Sequence, residues 1–245
     1  MTAADPWPVH EVAPDLRVRV LRDMPALPAA LDAEVSRLWD AAQARMGGAL
    51  FNGRVFSADG ITPTLVGGHW TEFRRVVARM ARPALAGALP VRPFAAGGVI
   101  LGDGFVVFGR RPAGAVYQAG EWQLPPAGSI DPGCALDDTW VSPLAQLRAE
   151  LAEELGMPAD AVGDPRPLCI VEHPGSGVLD LGISVRTHWT REAIRAAHAA
   201  RGNGEYDPLE LVAVADVPAF LARHAGRVTR QAVPFLVHAG VLAAG

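Results

Sequence analysis

A chain of 245 residues, half of them apolar, is long enough to bury a sizeable core and can hold one large domain or a main domain with a smaller partner. Its formal charge of −4 leaves no broad basic surface, and all 22 residues counted as Lys or Arg are arginine, so nucleic acid is not the expected partner. The two cysteines, Cys134 and Cys169, have no CxxC neighbour and no ligand-spaced histidines, which argues against a zinc site or a disulfide framework and fits a reducing cytoplasm.

The opening stretch MTAADPWPVHEVAPDLRVRV lacks a basic start followed by an apolar run, and no later apolar run reaches bilayer length. A cytoplasmic protein without membrane attachment is expected. Over 28–46, Leu31, Val35, Leu38, Trp39 and Ala42 recur at three- and four-residue steps, which predicts an amphipathic helix closed by Gly47 and Gly48. LFNGRVFSADGITPTLVGG predicts short strands around an Asn52-Gly53 turn, and TEFRRVVARMAR a helix ending before Pro83. Residues 1–90 are thus expected to form a small α+β unit that acts as a lid or substrate-selecting wall, as a homodimer surface, or as support for the rest of the chain. The Pro- and Ala-rich ALAGALPVRPFAA would connect it to a second unit over 91–245.

That second unit opens on GGVILGDGFVVFGRR, two apolar runs around Gly102-Asp103-Gly104 that predict a hairpin. A turn-rich segment, EWQLPPAGSIDPGCALDDTWVSP, leads to a helix that Ser142 can cap with Pro143 at its first position. PLCIVEH, VLDLGISVRTHW and LELVAVADV read as strands, while REAIRAAHAAR, PAFLARHAG and QAVPFLVHAGVLA read as helices. Without regular βαβ spacing, the expectation is an α/β (α+β) chain with a mixed sheet covered by helices.

The helix after Ser142 contains LRAELAEELGMP. Glu150, Glu153 and Glu154 fall within an arc of about 100°, beside a stripe of Leu147, Leu151 and Leu155, so the leucines can be buried while the acids face a cleft or solvent. Two unit charges about 6 Å apart repel by only about 0.7 kcal/mol in water, so the pattern by itself admits an ordinary solvated face as well as a metal site.

The run Glu150-Leu151-Ala152-Glu153-Glu154-Leu155-Gly156-Met157 resembles the second half of the Nudix hydrolase box, Gly-x5-Glu-x7-Arg-Glu-U-x-Glu-Glu-x-Gly-U with U apolar. Gly128 looks like the opening glycine. The loop from it to the helix is longer than in the family and lacks the spaced glutamate, and Ala149 stands where the family has an arginine that helps orient a glutamate. Arg148 lies on the far side of the helix from Glu150. These departures resemble a divergent branch that hydrolyses UDP-glucose and UDP-galactose. LFNGRVF, FVVFGRRP and PLCIVEH extend the likeness over most of residues 30–240.

The resemblance implies a Nudix-type mixed sheet between helices and a pyrophosphohydrolase acting on a small nucleotide substrate, with UDP-sugar split to UMP and sugar 1-phosphate. It also implies Mg²⁺ or Mn²⁺ on Glu150, Glu153 and Glu154. Glu205 in GNGEYDP, with Glu210 behind it, is the candidate for a further carboxylate that completes the site or activates water. Arg110 and Arg111 are candidates to grip the diphosphate, and Gly128 to let the loop turn tightly near phosphate. Trp122 and Tyr117 could stack on a base or sugar or belong to the core. His173 reads as a supporting residue, and His69 is assigned nothing. Two alternatives stand beside this reading: an enzyme for ADP-ribose or coenzyme A, and a noncatalytic nucleotide-binding module, which the loss of the box arginine favours.

Overall fold

The computed structural model describes residues 7–115 and 118–243. The first third contains β1 (Val9–Glu11), β2 (Arg17–Val20), α1 (Ala29–Arg45), β3 (Arg54–Ile61), β4 (Leu65–Glu72) and α2 (Phe73–Ala81). Helix α1 occupies the span its periodicity predicts. Its Val35 packs with Val76 and Ala78 of α2 and with Leu89, closing a small core between the two helices.

The Asn52-Gly53 hairpin does not form. The β3–β4 turn lies at Thr62, whose Oγ1 accepts the Leu65 N–H (3.0 Å). Asn52 instead accepts the Arg74 N–H (2.8 Å), satisfying a first-turn amide of α2 that has no partner inside the helix. A short polar side chain can serve either end, and here capping won.

The remainder runs β5 (Phe94–Gly102), β6 (Phe105–Arg110), β7 (Trp122–Gln123), β8 (Ala127–Ser129), β9 (Trp140–Val141), α3 (Pro143–Leu155), β10 (Val162–Glu172), β11 (Leu179–Thr187), α4 (Arg191–Arg201), β12 (Leu209–Ala213), α5 (Val217–Arg223) and α6 (Ala232–His238). The predicted β5–β6 hairpin is present, with Leu101 opposite Val106. The large sheet is ordered β1-β10-β11-β5-β6-β12, with β8 beside the first half of β5 and β7 beside the end of β6. Its β11–β5 pair is parallel and its other pairs are antiparallel, so the sheet is mixed as expected.

Helices cover both faces. Leu147, Leu151 and Leu155 of α3 and Ile194 and Ala197 of α4 pack with Leu179, Leu181 and Ile183 on one side. On the other, Phe220 of α5 and Phe235 and Leu236 of α6 pack with Val99, Val106 and Phe108.

A second sheet is ordered β3-β4-β2-β9. The two sheets exchange edge strands: β1 pairs with β10 of the large sheet, and β9 pairs with β2 of the small one. Val18, Phe56 and Val66 of the small sheet share one core with Phe94 and Leu147. A division at residue 90 therefore separates most of each sheet but not all of their strands. Among the described residues no helix is long and apolar enough to cross a membrane.

Candidate active site

Helix α3 is defined at both ends. Ser142 Oγ accepts the Ala145 N–H (3.2 Å), and Pro143 fills the first turn, where its missing N–H costs nothing. At the other end Gly156 turns left-handed (φ 64°), and the amides of Gly156 and Met157 return to the carbonyls of Ala152 and Leu151. The leucine stripe is buried, which fixes the rotation of the helix and turns its acidic side toward the start of β8.

The loop after α4 is tied to this same helix end. Arg201 donates to the Gly156 carbonyl through Nε (3.0 Å) and Nη2 (2.6 Å), and the Asn203 N–H donates to the Glu153 carbonyl (3.0 Å). Asn203 Oδ1 then accepts the Glu205 N–H (2.9 Å), setting that residue toward α3. Below it Tyr206 is fully buried against Gly109, where any side chain would collide with the ring. Its hydroxyl reaches Gln123 Oε1 at 3.4 Å.

These connections bring Glu150, Glu154, Glu205, Arg111 and Gly128 into one cleft of about 930 Å³. Glu154 is only 1% exposed. Its Oε2 accepts the Ala127 N–H (3.0 Å), while its Oε1 is buried without a partner. Burial, followed by the like charges of Glu150 and Glu205, pushes its carboxyl well above the ordinary range, against the pull of Ala127 and Arg111. Glu150 is also raised, by burial first; the Gln146 hydrogen bond opposes this, and Glu153, Glu205 and Asp131 add to it.

Glu150 takes its orientation from its own helix. Gln146 Nε2 donates to its Oε1 (2.8 Å) and Gln146 Oε1 accepts the Asp131 N–H (3.2 Å). Gln146 thus supplies a donor to this carboxylate, while Ala149 and Arg148 are exposed. The Glu150 carboxylate lies so close over Gly128 that a Cβ there would overlap it, so only glycine leaves room. Arg111 pairs with Glu205 (2.8 Å) and also donates to Gln123 Oε1 (3.3 Å).

Other expected residues stand apart. Glu153 is exposed and lies off the cleft wall. Arg110 is exposed beyond the wall, donating to the Gly120 carbonyl (3.2 Å), because successive strand residues point to opposite faces. Glu210 sits on β12 opposite Phe108, also off the wall. Trp122 belongs to the core, edge-on to Phe220 with ring centroids 5.1 Å apart. Tyr117 lies outside the described residues. His173 lines the cleft, its Nδ1 accepting from the Gly175 and Ser176 amides, and His69 is buried against Asp59.

One cleft residue had no expectation attached. Asp180 of β11 lines the cleft with a buried, partnerless Oδ2. The opposite wall comes from the N-terminal unit, where Met46, Phe73, Val77 and Met80 give it an apolar surface. A lone acid inside the alternating run VLDLGISV was the available signal for Asp180.

Among the described residues no three His, Cys, Asp or Glu side chains stand close enough to hold a metal ion unaided. The donors still fit Mg²⁺. An oxygen-only pair, Glu150 and Glu154, with one buried oxygen unmet, suits an ion that commonly takes one or two carboxylates and completes its shell with water and substrate phosphate.

No family model and no curated protein matches the chain. Solved structures similar to it include a Deinococcus radiodurans protein (16% identity, covering 60% of this chain and 82% of that one, TM-score 0.42). A MutT protein from Methanosarcina mazei is similar at 16% identity (60% and 93%, TM-score 0.43), and a Nudix hydrolase from Nitrosomonas europaea at 18% (60% and 89%, TM-score 0.41). At such scores the likeness is too distant to carry a role from those proteins to this cleft.

Proposed function

We propose that the chain is a Nudix-type pyrophosphohydrolase that cleaves a nucleoside diphosphate linked to another moiety, with Mg²⁺ or Mn²⁺ held by Glu150 and Glu154. The observation that carries this reading is the buried, partnerless Oε1 of Glu154 beside Glu150, in a cleft where both carboxyls are raised. Such an arrangement is costly unless a cation or a proton answers it.

The ion, when bound, would polarise the diphosphate oxygens. The chain's own residues do the rest. Gln146 holds the Glu150 carboxylate in place, and the Ala127 N–H holds Glu154. Arg111, already at the cleft, offers two parallel N–H groups to two nonbridging phosphate oxygens by exchanging its contact with Glu205. The released Glu205 carboxylate takes a proton from the water that attacks phosphorus. The phosphorus–bridging-oxygen bond breaks, and the bridging oxygen leaves on the second phosphate. Gly128 leaves room for Glu150 beside the reacting group.

In its narrower form the substrate is a UDP-sugar and the products are UMP and sugar 1-phosphate, in a protein of the cytoplasm. ADP-ribose and coenzyme A would use the same groups. The noncatalytic module is favoured by one observation, the absence of a ready-made cluster of three metal-binding side chains among the described residues.

Product release from UDP-glucose, UDP-galactose, ADP-ribose, ADP-glucose and coenzyme A, with and without Mg²⁺, tests the reading. UMP from UDP-sugars only when metal is added is the expected result, abolished in the Glu153→Gln, Glu154→Gln double variant. Full turnover in that folded double variant sinks the metal assignment. Binding without turnover of any compound supports the module instead.

A further inference from the structure

On the α6 side of the large sheet, a recess opens from the cleft floor. It shares Gln123, Ala127, Asp180 and Gln231 with the cleft and is completed by Thr229 and the apolar Phe235. Its free space is about 10 Å³, the room of one water molecule or one hydroxyl group.

Two atoms in its walls are unanswered. Asp180 Oδ2 and Thr229 Oγ1 are buried with no hydrogen-bond partner, and Thr229 is 0% exposed. Gln231 bonds to neither atom; its amide is exchanged with that of Gln118 (3.2 and 3.4 Å). Leaving two buried polar atoms unmet costs about 1–3 kcal/mol each, and no side chain of the described residues offsets it. Around them the same face is apolar: Gly182, the next residue on this side of β11, lies under the Phe235 ring. Burial also pushes the Asp180 carboxyl up to about 7, so that near neutrality it can accept or donate.

Position decides what could enter. Asp180 stands opposite Ala95 of β5, whose other neighbour is Ser129 of β8. It therefore lies two strands, about 10 Å, from the Gly128 segment that carries the reacting centre. That is the reach from a diphosphate to the far hydroxyls of a sugar ring attached to it.

We propose that the recess is a hydroxyl-recognition subsite: one ring hydroxyl of a sugar linked to the diphosphate enters it, donating to Asp180 and accepting from Thr229. The subsite rests on the UDP-sugar form of the proposed function and makes Asp180 and Thr229 specificity-determining residues. A site that answers a substrate hydroxyl rejects the analogue lacking it, because its own polar atoms are then left unpaired.

The test compares UDP-glucose with its 2-, 3-, 4- and 6-deoxy-glucose analogues on the wild type, Thr229→Val and Asp180→Asn, measuring kcat and KM for UMP release. One analogue should lose at least about tenfold in kcat/KM on the wild type. In Thr229→Val, nearly the same shape without the hydroxyl donor, and in Asp180→Asn, that discrimination should shrink to about threefold or less, with the loss for UDP-glucose falling on KM. Equal treatment of all the analogues by the wild type overturns the proposal and leaves the recess to a bound water. Discrimination that persists in both variants also overturns it, by placing the hydroxyl elsewhere. A wild type that releases no UMP from any UDP-sugar removes the underlying substrate reading and this subsite with it, a result seen before any variant is made.

Discussion

Gly128→Ala is the substitution for which the cleft gives the sharpest expectation. A Cβ at this position would overlap the Glu150 carboxyl and approach its Cγ to 2.8 Å. Relief can come from the flexible end of Glu150, which then leaves Gln146 and forfeits a hydrogen bond with a net value of about 1 kcal/mol. It can also come from a shift of β8, which drags the Ala127 N–H away from Glu154. Either way the fold loses about 1–2 kcal/mol, within the range for mild overpacking. For a chain of this size that is a drop in Tm of about 2–8 °C. Activity should suffer far more, because displacing a reacting group by about 1 Å can cost roughly 100-fold. Gly163→Ala, on β10 with nothing within 4 Å of the added carbon, is the control and should keep both stability and turnover. Calorimetry and steady-state turnover on the three proteins decide the matter. Wild-type turnover in folded Gly128→Ala would refute the placement of Glu150 at the reacting centre.

Two further expectations concern protons and metal. Burial lifts the Asp180 carboxyl from 3.8 to about 7, so the folded chain holds a proton that the unfolded chain releases between those values. That stabilisation is full below about pH 4 and is lost as pH rises through about 7, with a ceiling of about 4 kcal/mol. Because the residue as a whole keeps some solvent contact, about 1–3 kcal/mol is expected. Urea melts from pH 4 to 8 should show the metal-free wild type losing this much relative to Asp180→Asn, and parallel curves would contradict it. Mg²⁺ at ten times its dissociation constant should stabilise the wild type by about 1.4 kcal/mol and leave Glu154→Gln nearly unmoved. An equal thermal shift in both proteins would place the ion elsewhere.

Helix α3 was legible because its signals agree: a capping serine, proline in the first turn, a leucine stripe and a glycine at the end. The arc of acids was legible too, but not which of them faces the cleft. Glu153 and Glu154 flank Glu150 at about 60° to one side and about 40° to the other around the helix axis, and only the packing of the leucines decides that Glu154 turns inward and Glu153 outward. Arg110 and Arg111 pose the same question on a strand, where one residue's step reverses the face. Glu205 could be picked out as an acid in a late loop, while the Arg201 and Asn203 bonds that bring it to α3 are tertiary and left no local mark. Gln146 looked like any polar residue on a helix surface. Asp180 looked like the solvent-facing half of an alternating strand, a pattern that misleads when helices cover both faces of a sheet. Strands β7, β8 and β9 are too short to show a period at all.

The exchange of edge strands between the two sheets bears on how the molecule holds together. Removing the first 90 residues would strip β1 from β10 and present a row of unpaired backbone N–H and C=O groups along that edge. Removing everything after residue 90 would do the same to β2 by taking away β9. Each half covers the sticky border of the other, so a severed half would tend to self-associate. The apolar wall contributed by α1 and α2 and the acidic wall contributed by α3 are thus inherited as a pair. A change of ligand preference is then open to point substitution in the N-terminal wall and closed to replacement of that wall as a cassette.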